Sequence, residues 1–142
     1  MSNNPQFSDA TVIAGVTAVK ALLDGGGTLQ IFTGSQPADA NQALTGTLLA
    51  TLTFSSTAFG TPTASGSTGS RIVTATAAAI TSGTAGNSGT AGYFALVKSD
   101  GTTVAAMGSV GTSGADLNMN STSITAGATV SCSAFTLTQP ET

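Results

Sequence analysis

At Gly25-Gly26-Gly27 the hydrophobic period of this chain changes, and that change limits what it can fold into. Before the glycines, Val12, Ile13, Val16, Val19, Leu22 and Leu23 recur at three- and four-residue spacing, the stripe of one helix face. Ser8 and Asp9 stand where an N-cap belongs. Gly25 can take the left-handed position that closes a helix. The β-branched Thr11, Val12, Ile13, Val16, Thr17 and Val19, together with Gly15, lower helix propensity, so the stripe needs a surface to pack on. After the glycines the period is two. Thr28 to Thr33, Thr47 to Phe54, Arg71 to Ile80, Ala91 to Lys98, Thr103 to Val110, Leu117 to Met119, Ser121 to Ile124 and Thr129 to Thr138 read as strands. Asp100-Gly101 between two of these runs signals a hairpin.

The pattern predicts a mainly β protein: an antiparallel β-sandwich, jelly-roll-like with seven or eight strands, behind a short N-terminal α-helix. Residues 1–27 form an arm and helix and residues 28–142 the sandwich body, one domain overall, since 142 residues suit a single core. The strand phases select Leu29, Ile31, Leu48, Leu52, Phe54, Ile72, Phe94, Leu96, Val104, Leu117, Ile124, Phe135 and Leu137 for one contiguous core. Val130, Cys132 and Ala134 keep one parity while Phe135 and Leu137 keep the other. That break calls for a bulge near Ser133, or for burial of both faces by a neighbour. Pro37 to Gly46, Thr61 to Ser70 and Thr81 to Gly89 read as long loops, the natural interface segments of an assembling chain.

The side chains most used for chemistry are scarce. The 142 residues include 3 Lys and Arg, 6 Asp and Glu, no His and no Trp, and only 6% are charged. Acid–base catalysis draws on such groups brought together in one site, and here they are scattered singly. No enzyme, no catalytic residue, no cofactor and no metal site are expected. Gly25-Gly26-Gly27 closes a helix and opens a strand, the reverse of a phosphate loop. Asp116-Leu117-Asn118-Met119-Asn120 starts like a calcium loop, but its sixth position is Ser121 and its twelfth Gly127, so a strand explains the alternation better. Lys98 and Asp100 read as a solvated pair beside the hairpin turn. Cys132, the single cysteine, reads as a small buried hydrophobe. Lys20, Arg71 and Lys98 lie too far apart in sequence for a nucleic-acid surface. Met1-Ser2-Asn3-Asn4-Pro5 lacks the features of a signal peptide, and no run suits a membrane span, so synthesis in a cytoplasm is expected. The Thr-rich tracts keep no constant period, which excludes a solenoid.

What remains is a neutral surface of Thr, Ser, Asn, Gln and Gly, which offers little repulsion between copies. The chain is expected to assemble, with other copies of itself as partners.

Several blocks carry a resemblance. Leu29-Gln30-Ile31-Phe32-Thr33-Gly34-Ser35-Gln36-Pro37-Ala38-Asp39-Ala40 and Gly46-Thr47-Leu48-Leu49-Ala50 are followed by Gly92-Tyr93-Phe94 with Asp100-Gly101. Gly108-Ser109-Val110-Gly111, Ser113 to Asn118, Thr122 to Gly127 and Ser133 to Thr138 come in the same order. From about Ala21 to Thr138 the chain resembles small virion structural proteins of tailed bacteriophages. The resemblance implies a virion component with a β-sandwich body and leaves open whether it sits on the capsid or in the tail. The leading expectation is a capsid cement or decoration protein, a homo-oligomer (a trimer) on the phage major capsid protein. Val12, Ile13, Val16, Val19, Leu22 and Leu23 would form an interface arm exchanged with a neighbour or laid on the shell. A tail or head–tail junction protein is the alternative. A carbohydrate-binding host-recognition module is the second, against which stand the absent Trp and the single Tyr93.

Overall fold

A computed structural model of the chain describes residues 5–141; positions 1–4 of the expected arm, and position 142, lie outside the described residues. The elements are α1 (Asp9–Leu23), β1 (Thr28–Thr33), β2 (Leu48–Phe54), β3 (Thr63–Ser65), β4 (Ile72–Thr76), β5 (Ile80–Thr81), β6 (Gly83–Thr84), β7 (Gly89–Val97), β8 (Val104–Gly111), β9 (Leu117–Asn118), β10 (Ser123–Ile124), β11 (Thr129–Val130) and β12 (Thr136–Pro140). The chain is mainly β with one N-terminal helix, as its periods predict. The strands are shorter and more numerous than the seven or eight expected. β3 and β6 fall inside segments read as loops, and β5 straddles the end of the run read as a strand from Arg71 to Ile80.

The strands form a long sheet ordered β5-β2-β1-β7-β8-β9, with β10 also on β7, a three-stranded sheet β12-β4-β3 and a two-stranded sheet β11-β6. Only the β8–β9 pair is parallel among the described residues. β1 is the centre of the long sheet. Leu29 stands between Leu52 of β2 and Leu96 of β7, and Ile31 between Ala50 and Phe94. These rows face a core that also takes Val73 and Ala75 of β4, Phe59, Phe135, and Val12, Val16 and Leu23 of α1. Fully burying a Val, Leu or Phe side chain contributes about 1.5–3 kcal/mol relative to leaving it in water. Four of the phenylalanines make a continuous run: Phe54 to Phe59, Phe59 to Phe135 and Phe135 to Phe94, at centroid separations of 5.4, 6.1 and 5.4 Å. On the opposite face of the long sheet Phe32, Tyr93, Ala95 and Val97 form a second, smaller cluster with Leu44, Val104 and Met107.

Of the expected core, Leu29, Ile31, Leu52, Phe54, Phe94, Leu96, Leu117, Ile124 and Phe135 are buried. Leu137 and Val104 are half-buried, Val104 in the second cluster. Leu48 and Ile72 are corrections, at 38% and 36% exposure. In β2 the register shifts opposite Ile31 and Phe32, whose partners are Ala50 and Leu48. The bulged residue, Leu49, turns inward at 1% exposure and sends Leu48 out. In β4 Val73 and Ala75 face in. The run read as one strand from Arg71 to Ile80 ends at Thr76, and Ile80 joins β2 through β5. The two halves of that run therefore need not share a phase.

The parity break after Val130 has a cause other than a bulge within one strand. β11 pairs with β6 and β12 with β4, and the chain bends at Ser133 as it crosses between sheets. Val130 and Phe135 are both buried as a result.

Helix α1 starts at Ser8, whose hydroxyl accepts the Thr11 N–H at 3.3 Å. It ends at Asp24, and Gly25 follows at φ 79°, the left-handed geometry glycine takes without strain. The helix rests on β4, β12, β3 and β8. Its end is pinned as well, because Asp24 Oδ1 accepts the Ala58 N–H at 2.7 Å and the Gly25 N–H reaches the Ser56 carbonyl at 3.0 Å.

Candidate interaction surfaces and the charged cluster

The fold brings three of the scattered charges together. Arg71, just before β4, donates through Nε to Asp9 Oδ1 at 2.8 Å and through its Nη2 to the other carboxylate oxygen. Glu141, just after β12, lies 3.7 Å from Arg71 Nε. Its Oε1 is buried without a hydrogen-bond partner. The hydrogen bond from Arg71 holds the Asp9 carboxyl below its usual range, and the bonded Asp9 raises Arg71 further. Glu141 is pushed up by the neighbouring Asp9 carboxyl and by burial. Two carboxyl groups thus compete for one guanidinium. Backbone bonds reinforce the junction, from Phe7 N–H to the Glu141 carbonyl and from Glu141 N–H to the Arg71 carbonyl, each at 3.2 Å. The cluster fastens the beginning of the described chain to its end.

The other carboxylates serve nearby donors. Asp24 accepts from Lys20 at 2.7 Å, which with the Ala58 N–H keeps it low against the opposing effect of burial. Asp39 accepts the Asn41 N–H and side-chain amide. Asp100 accepts the Thr103 hydroxyl and the N–H groups of Thr103 and Thr102, which hold it well below the usual carboxylate range. It therefore organises the hairpin turn, where the sequence suggested a pair with Lys98. Asp116 accepts the Ser109 N–H and hydroxyl at 2.8 and 2.9 Å. Among the described residues no three His, Cys, Asp or Glu side chains stand where they could hold a metal. Cys132 is half-buried, donates to the Ala134 carbonyl at 3.2 Å, and has its thiol pushed up by burial.

Two concave surfaces remain. A cleft of about 420 Å³ opens between the β9–β10 segment and the run from Thr129 to Ala134, with Leu29, Ile31 and Leu52 at its bottom. A groove of about 460 Å³ runs along α1, between Val12, Gly15 and Val19 on the helix and Ala105, Ala106 and Leu137 beside it. Phe7 stands at this groove 52% exposed. It occupies the position before the N-cap, with Val12 four residues into the helix, the two positions of a hydrophobic staple. That spacing was the available sequence signal for Phe7. The expected interface arm is seated on its own chain, with Val12, Val16 and Leu23 buried and Ile13, Val19 and Leu22 half-buried. A partner could take those buried faces only by displacing this packing. The segment before β2 is fastened too, since the buried Tyr93 hydroxyl accepts the Thr45 N–H at 3.0 Å and donates to the Thr45 carbonyl.

Among the described residues no helix is long and apolar enough to cross a membrane. Comparison with known proteins returns no matching family model, no similar curated protein and no similar solved structure.

Proposed function

We propose that this chain is a non-enzymatic structural protein of a tailed-phage virion, a capsid cement or decoration protein set over capsomer junctions. One observation carries the reading: every aspartate accepts hydrogen bonds from donors of its own chain. Most other exposed positions are Thr, Ser, Gly, Ala, Asn or Gln. Such a surface can be covered by a partner at little desolvation cost, because unpaired charges are the expensive groups to bury. Copies would meet as a homo-oligomer, a trimer, and hold the major capsid protein through neutral contacts. In this reading the long sheet and the β12-β4-β3 sheet act as the two layers of a sandwich, jelly-roll-like in outline. A tail or head–tail junction protein would present the same kind of surface. The sugar-binding alternative is weaker, because Tyr93 is fully buried and offers no stacking platform.

The test is to locate the protein in intact particles by imaging and then wash them in rising salt. Between 0.1 and 1 M the Debye length falls from about 10 to about 3 Å. Retention across that range is expected. Steep salt-driven release, or absence from particles, would overturn the reading.

A further inference from the structure

Strand β12 is an outer strand of the small sheet and pairs with β4 alone among the described residues. Its bonds to β4 belong to the odd-numbered residues: the Ala77 N–H reaches the Phe135 carbonyl at 2.8 Å and the Glu141 N–H the Arg71 carbonyl at 3.2 Å. Antiparallel pairing alternates, so Thr136 and Thr138 turn their N–H and carbonyl groups away from β4. Neither N–H has a protein partner among the described residues. Both residues are exposed, and Thr136 to Pro140 carries no charge. Proteins ordinarily blunt an outer strand with charge, proline or brevity, because its open groups are a template for another strand. The other edge of this sheet is blunted, since β3 has 3 residues and follows Pro62. In β12 the proline stands only at the end, as Pro140. On the inner face Leu137 is half-buried and lines the α1 groove with the half-buried Val19, Ala105 and Ala106.

We infer that a second copy of this chain adds its own β12 antiparallel to this edge, about a twofold axis at Leu137. The edge is complementary to itself, which is what selects the partner. Thr136 and Thr138 flank Leu137 symmetrically, so Thr136 of each copy meets Thr138 of the other. Each such pair exchanges two N–H···O bonds, which uses both open N–H groups of each copy. The two Leu137 side chains then face each other on one side of the joined sheet, beside the apolar groove. Pro140 offers no N–H, and the ladder ends there. The contact goes beyond the proposed function, because it needs neither a particle nor the trimer.

Purified full-length protein tests it, in a Cys132→Ser background that removes the single native thiol. Leu137→Cys sets two thiols across the axis with Cα atoms about 4.5 Å apart, within disulfide reach. Gln139→Cys sets them roughly 14 Å apart, out of reach. Mild oxidation should link the first variant into pairs and leave the second unlinked. In sedimentation, Thr138→Pro should halve the mass that the wild type reaches at high concentration, while Thr138→Ala keeps it. The N–H removed is one that β4 does not use, and proline is accepted on the open side of an outer strand. Amides of β1 and β7 report whether the proline variant is folded, and if it is not, the two thiol variants decide. No linking, equal linking of both thiol variants, or an unchanged mass for folded Thr138→Pro would overturn the proposal. So would a monomer whose Thr136 and Thr138 amides exchange slowly until Met1 to Asn4 are deleted. That result would make the start of the same chain the strand that covers this edge.

Discussion

Phe135 meets Phe94 edge-on, with ring centroids 5.4 Å apart and planes at 85°. The contact joins the chain just ahead of β12, in the small sheet, to the middle of β7, in the long one. Edge-to-face pairs contribute about 0.5–1.5 kcal/mol beyond the area they bury. Phe135→Ala should therefore cost on the order of 3–5 kcal/mol, and Phe59→Ala a similar amount. Phe7→Ala, at a 52% exposed position, should stay within about 0.5 kcal/mol. Urea unfolding of the three variants decides the matter. A Phe135 variant as stable as the Phe7 variant would show that the aromatic run does not hold the sheets together.

The β2 bulge makes a sharper claim, since it sets two adjacent leucines apart. Leu49→Ala should cost about 2–5 kcal/mol, as for a buried leucine, whereas Leu48→Ala should cost less than about 1 kcal/mol. Equal losses would mean that the register shift opposite Ile31 and Phe32 is absent in solution.

Those two leucines also mark where sequence reading stops. The switch of period at Gly25 to Gly27 made α1, β1, β7 and β8 legible, because each is long enough for its apolar phase to be unambiguous. In β2 two neighbouring leucines satisfy either phase, and only the partner strand decides between them. Phe59 lies outside any alternating run, so its burial was not foreseeable from period. The Asp9–Arg71 pair spans 62 positions, and nothing local announces such a meeting. The cleft was half visible: the parity break at Ser133 was legible, but the sheet change behind it depends on pairing with β6 and β4.

Acid stability has a sign that can be worked out group by group. Asp9, Asp24 and Asp100 have folded values below the 3.8 of a free aspartate. Their contribution is present above that value and is lost as the pH falls through the folded ones. Glu141 runs the other way. Its folded value is raised above 4.5, so its contribution is full below 4.5 and is lost as the pH rises through the raised value. Glu141→Gln should therefore raise the melting temperature at neutral pH and bring less gain near pH 4. Asp100→Asn should lower it at neutral pH and weaken the acid dependence. Calorimetric melting across that range checks both, and a Glu141→Gln protein less stable at neutral pH would reverse the reading of the cluster.

Tyr93→Phe separates a ring from its hydroxyl. The stack on Phe32, with centroids 5.1 Å apart, is kept, while the Thr45 N–H and carbonyl both lose a partner. A loss of about 1–2 kcal/mol is expected, with faster hydrogen exchange at the Thr45 amide. Unchanged exchange would mean that the segment ahead of β2 is held by Leu44 and its neighbours alone.

The backbone bond between Phe7 and Glu141 closes the described chain almost into a ring. Circular permutation follows directly: a short linker could join the two ends with little displacement of α1 or β12. New ends could then open at Asp100 and Gly101, on the exposed turn between β7 and β8. The described residues therefore begin and end on the same side of the molecule.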